Sequence, residues 1–292
     1  MHQFVNVTLA GFVQGMIFAA FALALVLIWR STRVVNFAQG AMAAATAFIA
    51  LALIHSGQSY WVALVVALVS GFVLGALVER LIVRRVEGGP ELNAVIVTLG
   101  LFVAIEALIA ILAGNQVQAF PAPFSLRGLS VGGTTVAFAP NDVYVVAAVV
   151  VTMALLIALF RFTRVGLAMR ASAFGQEVAR LLGVRVGRML TLGWALAAVV
   201  GSLAGLFIAG GGIVSPSFMD AIVVYGFVAA VLGGLDSPIG AVVGGLLLGL
   251  LLAYVSQYVD KNLTDISALV VLVVVLLLRP GGLFSSVRTR RA

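Results

Sequence analysis

Long apolar runs, broken by short clusters of charge, glycine and proline, dominate this chain. Nine runs stand out, at about 4–29, 36–54, 60–79, 92–113, 142–160, 189–209, 221–235, 239–259 and 264–278. A helix needs roughly 20 mostly apolar residues to cross a bilayer, and most of these runs approach that length. The runs at 221–235 and 264–278 are short for a crossing, so tilt, extension by flanking residues or a re-entrant path is expected there. Barrel strands alternate over ten residues, and continuous runs of this kind argue against a barrel. The pattern predicts an all-α, polytopic membrane protein of about nine transmembrane segments (eight to ten), with residues 1–292 forming a single transmembrane domain.

Composition strengthens this reading. Of 292 residues, 63% are hydrophobic and 9% charged, against about a quarter charged in a soluble domain. Nine helices of roughly 20 residues leave room for loops and no separate soluble domain. The N-terminus lacks a charged n-region and a small-residue cleavage site, so no processed signal peptide is expected.

The few charges are sorted. Fifteen of the seventeen basic residues fall in four regions: Arg30 and Arg33; Arg80, Arg84 and Arg85; six arginines from Arg161 to Arg188; and Arg279, Arg288, Arg290 and Arg291. Only Arg127 and Lys261 lie in the alternate loops. The positive-inside rule puts the four regions in the cytoplasm, the N-terminus outside and the C-terminus inside, which requires an odd number of crossings. The net charge of +7 is thereby accounted for without nucleic acid.

Several chemistries are excluded. The chain has no cysteine and two distant histidines, His2 and His55, which removes disulfides, thiolate metal sites and a histidine-rich metal centre. The single lysine, Lys261, precedes Asn262, so no phosphate-cradling Gly-Lys-Ser/Thr loop exists. No catalytic group, metal or cofactor is expected, and energy for any transport must come from a partner or a gradient.

A small set of polar residues remains as candidate chemistry. Glu106 lies mid-span, where a charge costs about 2.5–3.5 kcal/mol on insertion scales. It is either functional or a protonated or hydrogen-bonded helix contact. Asn36 can cap the second segment and Gln39 can hydrogen-bond across helices, as packing or as solute contact. Glycines four apart (Gly11/Gly15, Gly71/Gly75, Gly201/Gly205, Gly240/Gly244, Gly245/Gly249) read mostly as close helix contacts. Gly210 to Pro216 marks an irregular outside turn. Asp236 or Ser237 is expected to cap the eighth segment, with Pro238 in its first turn. Asp260, Lys261 and Asp265 read as a solvated turn.

Two loops are long. The outside loop, about 114–141, carries Val131-Gly132-Gly133-Thr134, a hairpin signal. The cytoplasmic loop, about 161–188, predicts one short amphipathic helix from Ser172, with Phe174, Val178, Leu181 and Leu182 on one edge, Glu177 and Arg180 on a shared face, and Gly183 at its end. Such a helix either lies on the bilayer or docks a soluble partner.

The order of motifs resembles the permeases of branched-chain amino acid ABC importers. Arg170-Ala-Ser-Ala with Ala179-Arg-Leu-Leu-Gly183-Val is similar to their coupling loop, and Val35-Asn36-Phe37-Ala38-Gln39-Gly40 to their Asn-Phe-Ala-His-Gly motif. Val231 to Gly245 is similar to their late Gly-Gly, Ser-Pro-x-Gly-Ala and Gly-Gly run, and Arg279-Pro-Gly-Gly-Leu-Phe284 to their terminal pattern. The resemblance spans about residues 5–284. Gln39 stands where the family often has histidine, Phe174 and Gly175 where polar residues are common, Leu252 where many members carry glutamate, and Glu106 where an amide is frequent. The resemblance implies half of a translocation pathway in the bacterial inner membrane. It further implies a second homologous permease, two ATP-binding subunits on the cytoplasmic side and an extracytoplasmic solute-binding protein. Implied ATPase contacts are Arg170, Ala171, Glu177, Ala179 and Gly183; implied pathway or packing residues are Asn36, Phe37, Gln39, Gly40 and Glu106. A self-contained secondary transporter or channel is the alternative, and it predicts several intramembrane ion-binding groups where Glu106 alone is clear.

Overall fold

The computed structural model describes residues 2–86, 89–131 and 134–284. Every one of the nine apolar runs is a helix: α1 (His2–Thr32), α2 (Gln39–His55), α3 (Tyr60–Leu81), α4 (Glu91–Ala113), α5 (Pro140–Phe162), and, after two short helices α6 (Arg164–Phe174) and α7 (Gln176–Leu181), α8 (Val186–Ala209), α9 (Asp220–Gly233), α10 (Pro238–Tyr258) and α11 (Thr264–Leu278). Seven are long and apolar enough to cross a membrane, counting the tight turn Lys261–Leu263 with α11. The two shorter ones are α2, of 17 residues, and α9, of 14. At 1.5 Å per residue they span about 25 Å and 21 Å, less than the roughly 30 Å hydrocarbon core. Shortness was expected of 221–235 and 264–278: α9 is short, α11 alone has 15 residues and reaches 18 only with the Lys261–Leu263 turn, and α2 is short as well.

Helix α1 is the core of the bundle. Its side chains are apolar on all faces and buried from Met16 to Ile28, as a helix surrounded by other helices requires. Glycines set how closely its neighbours approach. On α1, Gly11 and Gly15 face Gly245 and Gly249 of α10 so tightly that a Cβ on Gly249 would sit 2.3 Å from the Gly15 backbone. Gly71 and Gly75 of α3 meet Trp194, Ala198 and Ser202 of α8, Gly201 and Gly205 of α8 meet Gln39 and Ala43 of α2, and Gly244 of α10 meets Ala229 of α9. Without a hydrophobic drive between helices in lipid, contact of this closeness supplies the packing attraction.

Local signals end and start the helices. Ser59 accepts from Val62 N–H at the start of α3, and Ser237 accepts from Gly240 N–H at 2.9 Å ahead of Pro238. The capper of α10 is thus Ser237, while Asp236 pairs with Arg33. At one end of the bundle, β1 (Gln118–Ala119) pairs antiparallel with β4 (Ile213–Val214), tying the 114–139 loop to the irregular Gly210–Met219 turn. Between them in sequence, β2 (Ser130–Val131) pairs with β3 (Thr134–Thr135); the expected Gly132-Gly133 turn lies outside the described residues. The same is true of Arg288, Arg290 and Arg291.

At the opposite end, two motifs separate in sequence meet. Leu283 N–H donates to Leu232 O at 2.9 Å and Phe284 N–H to Gly233 O at 3.1 Å. Gly282 lies against Gly234 with a Cβ site only 2.5 Å from its backbone, and its φ of +83° suits glycine. The terminal Pro-Gly-Gly-Leu-Phe stretch therefore clamps the end of α9.

Candidate functional site: a broken segment, a carboxyl pair and a pair of short helices

Between α1 and α2 the chain runs without regular structure from Arg33 to Ala38, yet Asn36 and Ala38 are fully buried. Irregular backbone at membrane depth survives only inside protein or along a cavity, because every polar group must find a partner. The partners are specific. Asn36 Oδ1 accepts from Ala38 N–H at 3.1 Å, and Asn36 Nδ2 donates to Gln39 Oε1 at 3.1 Å. Gln39 Nε2 donates to the Ala197 carbonyl of α8 at 3.0 Å. Thr98 Oγ of α4 reaches Val35 O at 3.4 Å. The N-cap position of α2 is Ala38 rather than Asn36, which instead forms the turn just before it. Gln39 also explains a glycine: its Nε2 lies 2.0 Å from where a Gly201 Cβ would be.

This segment brings the two short helices together. The Phe37 ring lies 6.2 Å from that of Phe227 on α9, and a Cβ on Gly40 would meet Val223 Cγ2 at 2.1 Å. Discontinuous or short helices near the middle of a bundle are where transporter folds place solute.

Glu106 is half-buried on α4. Its carboxyl neighbours that of Asp220 in the exposed first turn of α9. Asp220 was not singled out from sequence, because nothing near it marks a partner 114 residues upstream in another helix. Asp265 was read as part of a solvated turn; it is the hydrogen-bond partner of Tyr225 and joins α11 to α9. Asp260 and Lys261 do form the exposed turn, with Asp260 accepting from Asn262 N–H at 2.8 Å and Lys261 O accepting from Thr264 Oγ1 at 2.7 Å. Substituting Glu106→Gln is expected to slow transport several-fold and flatten its dependence on pH, with assembly intact. Wild-type rates at every pH would reduce the pair to a packing contact.

The expected single helix from Ser172 to Gly183 is two helices. Thr163 Oγ1 accepts from Gly166 N–H at 2.9 Å and starts α6 at Arg164, well before Ser172. Gly175 then breaks the helix with extended backbone (φ −168°, ψ 107°). After α7, Gly183 N–H donates to Arg180 O at 3.0 Å and Val184 N–H to Ala179 O at 2.9 Å. These two hydrogen bonds close the helix end around Gly183, whose φ is +80°. Ala179 is buried against Val186 and Leu190 of α8, with Ala171 and Val184 packed alongside. It therefore fixes α7 on the bundle and has no surface left for a partner. Arg170 and Glu177 are exposed. So is the apolar edge expected from the sequence, Phe174 at 85%, Val178 at 58%, Leu181 at 87% and Leu182 at 75%, which spans two helices.

Beneath α7 lies a polar lock that the sequence did not announce. Glu79 of α3 is fully buried. Arg84 holds it with two bonds, Nε to Oε1 at 2.9 Å and Nη2 to Oε2 at 2.8 Å. Thr191 Oγ1 of α8 donates to the same carboxylate at 2.7 Å, and Arg84 Nη2 also donates to Gly187 O at 2.6 Å.

A family model described as branched-chain amino acid transport system / permease component matches residues 7–278. The chain belongs to that family. The permease is 28% identical over 290 residues to the high-affinity branched-chain amino acid transport system permease protein LivH of Salmonella typhimurium strain LT2, covering 94% of this chain and 92% of that one. It is 29% identical to LivH of Escherichia coli K12 with the same coverage, and 27% identical over 300 residues to BraD of Pseudomonas aeruginosa PAO1, covering 97% and 95%. In fold, the permease is similar to a solved chain of PsaBC from Streptococcus pneumoniae in complex with Fab, with a TM-score of 0.50 and 16% identity over 94% of this chain and 91% of that one. The permease is a multi-pass membrane transport subunit, and its four family-like motifs lie inside or next to the matched region.

Proposed function

We propose that this permease forms half of the pathway of an ATP-driven importer for branched-chain amino acids or a related small polar solute. A second homologous permease supplies the other half. Two ATP-binding subunits dock on the cytoplasmic face and hydrolyse ATP, and an extracytoplasmic binding protein delivers solute. The membrane is a bacterial inner membrane, crossed nine times if α2 and α9 are counted, with the N-terminus outside and the C-terminus inside.

The apolar rim at α6–α7 carries this reading. Phe174, Leu181 and Leu182 stand exposed on helices that are themselves held firmly on α8 through Ala179, Val186 and Leu190. A rigidly mounted apolar edge beside charged Glu177 suits insertion into a groove of a moving partner. Asn36, Phe37, Gln39, Gly40 and the Glu106–Asp220 pair then line or support the solute path where α2, α4 and α9 approach one another. In this mechanism, closure of the ATPases moves α6–α7, α8 follows through its packing with α7, and α2 follows α8 through Gln39 and the Gly201 and Gly205 contacts.

Purification in mild detergent tests the assembly: two ATPases and a second permease should co-purify. In the reconstituted complex, Leu181→Asp and Glu177→Arg should each cut solute-stimulated ATP hydrolysis while leaving membrane insertion unchanged. Gly183→Val should act in the same direction, since a β-branched residue at positive φ costs about 1–2 kcal/mol and loosens the end of α7. Unchanged coupling in all three variants would remove α6–α7 as the docking element.

A further inference from the structure

A cleft of about 600 Å³ opens between the inner ends of α1, α5 and α10, outside the elements assigned to the solute path. Its length is apolar, walled by Leu23 and Leu27 of α1, Met153 and Leu156 of α5 and Val242 of α10. Its end differs in kind. Arg30 of α1, Arg161 of α5 and Arg170 of α6 line it, and no carboxylate does. The one acid close to Arg30 is Asp236, which Arg33 already engages. Among the described residues, none of the three arginines forms an ion pair. From Leu23 to Arg30 the helix rises about 10 Å, so the cationic rim and the apolar slot follow one another along the direction in which a lipid stands.

We propose that this cleft holds one anionic phospholipid, its phosphodiester among Arg30, Arg161 and Arg170 and an acyl chain along Leu23, Leu27, Met153 and Leu156. Guanidinium groups match phosphate oxygens with paired N–H donors. Basic pockets between membrane helices at the aqueous boundary favour anionic headgroups. The three arginines sit at the ends of α1 and α5 and on α6, which is the depth a headgroup occupies. The slot opens beside Ile157 and Ile239, both exposed on the outer surface of the bundle, so a lipid can enter from the side. Once bound, it bridges α1, α5, α6 and α10. Because Arg170 lies on α6, the lipid also braces the helix pair that carries the exposed apolar rim. None of this depends on which solute is carried or on the identity of the ATPases.

The test uses the full chain in mild detergent, stripped of lipid and titrated with phosphatidylglycerol, with phosphatidylcholine of the same acyl chains, or with inorganic phosphate. Bound lipid is counted by native mass spectrometry and melting is followed in parallel. Phosphatidylglycerol should be retained at a concentration about tenfold or more below that of phosphatidylcholine. Arg30→Gln with Arg161→Gln should erase the preference, and the exposed Arg161→Gln alone should weaken it. Met153→Trp, which fills the slot and leaves the arginines in place, should lower retention of both lipids. Equal retention of the two lipids overturns the proposal, as does a preference that survives the double charge variant. Stabilisation by inorganic phosphate equal to that by phosphatidylglycerol would make this a free-anion site. A lipid-free cleft protected from labelling by a second permease in the assembled complex would make it a subunit contact. Either result overturns the lipid assignment.

Discussion

Replacing Gly249 by leucine is expected to abolish the folded bundle, and even Gly249→Ala should lower the yield of monodisperse protein in detergent and its melting temperature. The reason is backbone against backbone. A Cβ on Gly249 would lie 2.3 Å from both Cα and N of Gly15, and one on Gly245 would lie 2.4 Å from Cα and N of Ala19. No flexible side chain is present there to yield, so α1 and α10 must separate. Over-packing of a core costs about 1–3 kcal/mol when side chains can shift, and more when they cannot. Separation here also strips contact from α1, around which α8, α9 and α10 are arranged. Gly100→Ala is the control. It too lies inside a helix, but nothing comes within 4 Å of its added Cβ. That change should be neutral or stabilise by up to about 1 kcal/mol through helix propensity. If Gly249→Ala and Gly100→Ala gave the same yield and melting temperature, the α1–α10 contact would not be the tight seam described.

The contrast between these glycines shows what can be read from the chain alone. Four-residue spacing marks Gly245 and Gly249 as contact candidates, but which helix they meet depends on partners more than 200 residues away. Helix positions are legible because lipid imposes a length and a polarity on each crossing, and all nine apolar runs are helices. Ends set by one local side chain are legible too, as with Ser237 and Pro238. The break at Gly175 is not, because Phe174, Val178, Leu181 and Leu182 keep helical spacing across it and the extended backbone of Gly175 leaves no mark on that pattern. The role of Gly183 is visible because a helix end calls for a residue that tolerates positive φ.

Polar partners were the least legible part. Glu106 stood out by lying mid-run, but Asp220 and Asp265 sit at helix starts, where acids are ordinary. Each acquires its partner, Glu106 or Tyr225, only through tertiary packing. Asn36 and Gln39 drew notice as polar residues next to a span. The fact that Asn36 supports a buried, non-helical stretch between α1 and α2 follows from the Gln39–Ala197 bond and from Gly201, which lies in α8. An interhelical hydrogen bond in a membrane is worth about 0.6 kcal/mol on average. Gln39 therefore matters less for stability than for fixing where the broken segment stands against α8.

Arg84→Ala is expected to be the most damaging charge substitution at the α7 end of the bundle, and more damaging than Glu79→Ala. The two side chains share the same bonds but differ in burial: the Glu79 side chain is 1% exposed and that of Arg84 is 36% exposed. Removing Glu79 leaves a guanidinium that can turn toward water or stay on Gly187 O. Removing Arg84 leaves a carboxylate at the buried end of α3 with Thr191 as its remaining donor. Breaking a buried pair in that way costs about 3–5 kcal/mol. Arg84→Lys should recover only part of the loss, because an ammonium cannot reproduce the two parallel bonds to Oε1 and Oε2. The double variant Glu79→Leu with Arg84→Met should melt above Arg84→Ala, since no charge is then left unpaired. Function should follow the same order. Gly187 and Thr191 lie in the first turns of α8, next to Val186 and Leu190, which hold α7. Loosening Arg84 therefore frees the mount of the proposed docking rim, and, if that rim carries the coupling we propose, solute-stimulated ATP hydrolysis in the assembled complex should fall with melting temperature across the series. Equal melting of Arg84→Ala and Glu79→Ala, or a double variant no better than Arg84→Ala, would show that the buried carboxylate is not what the network protects.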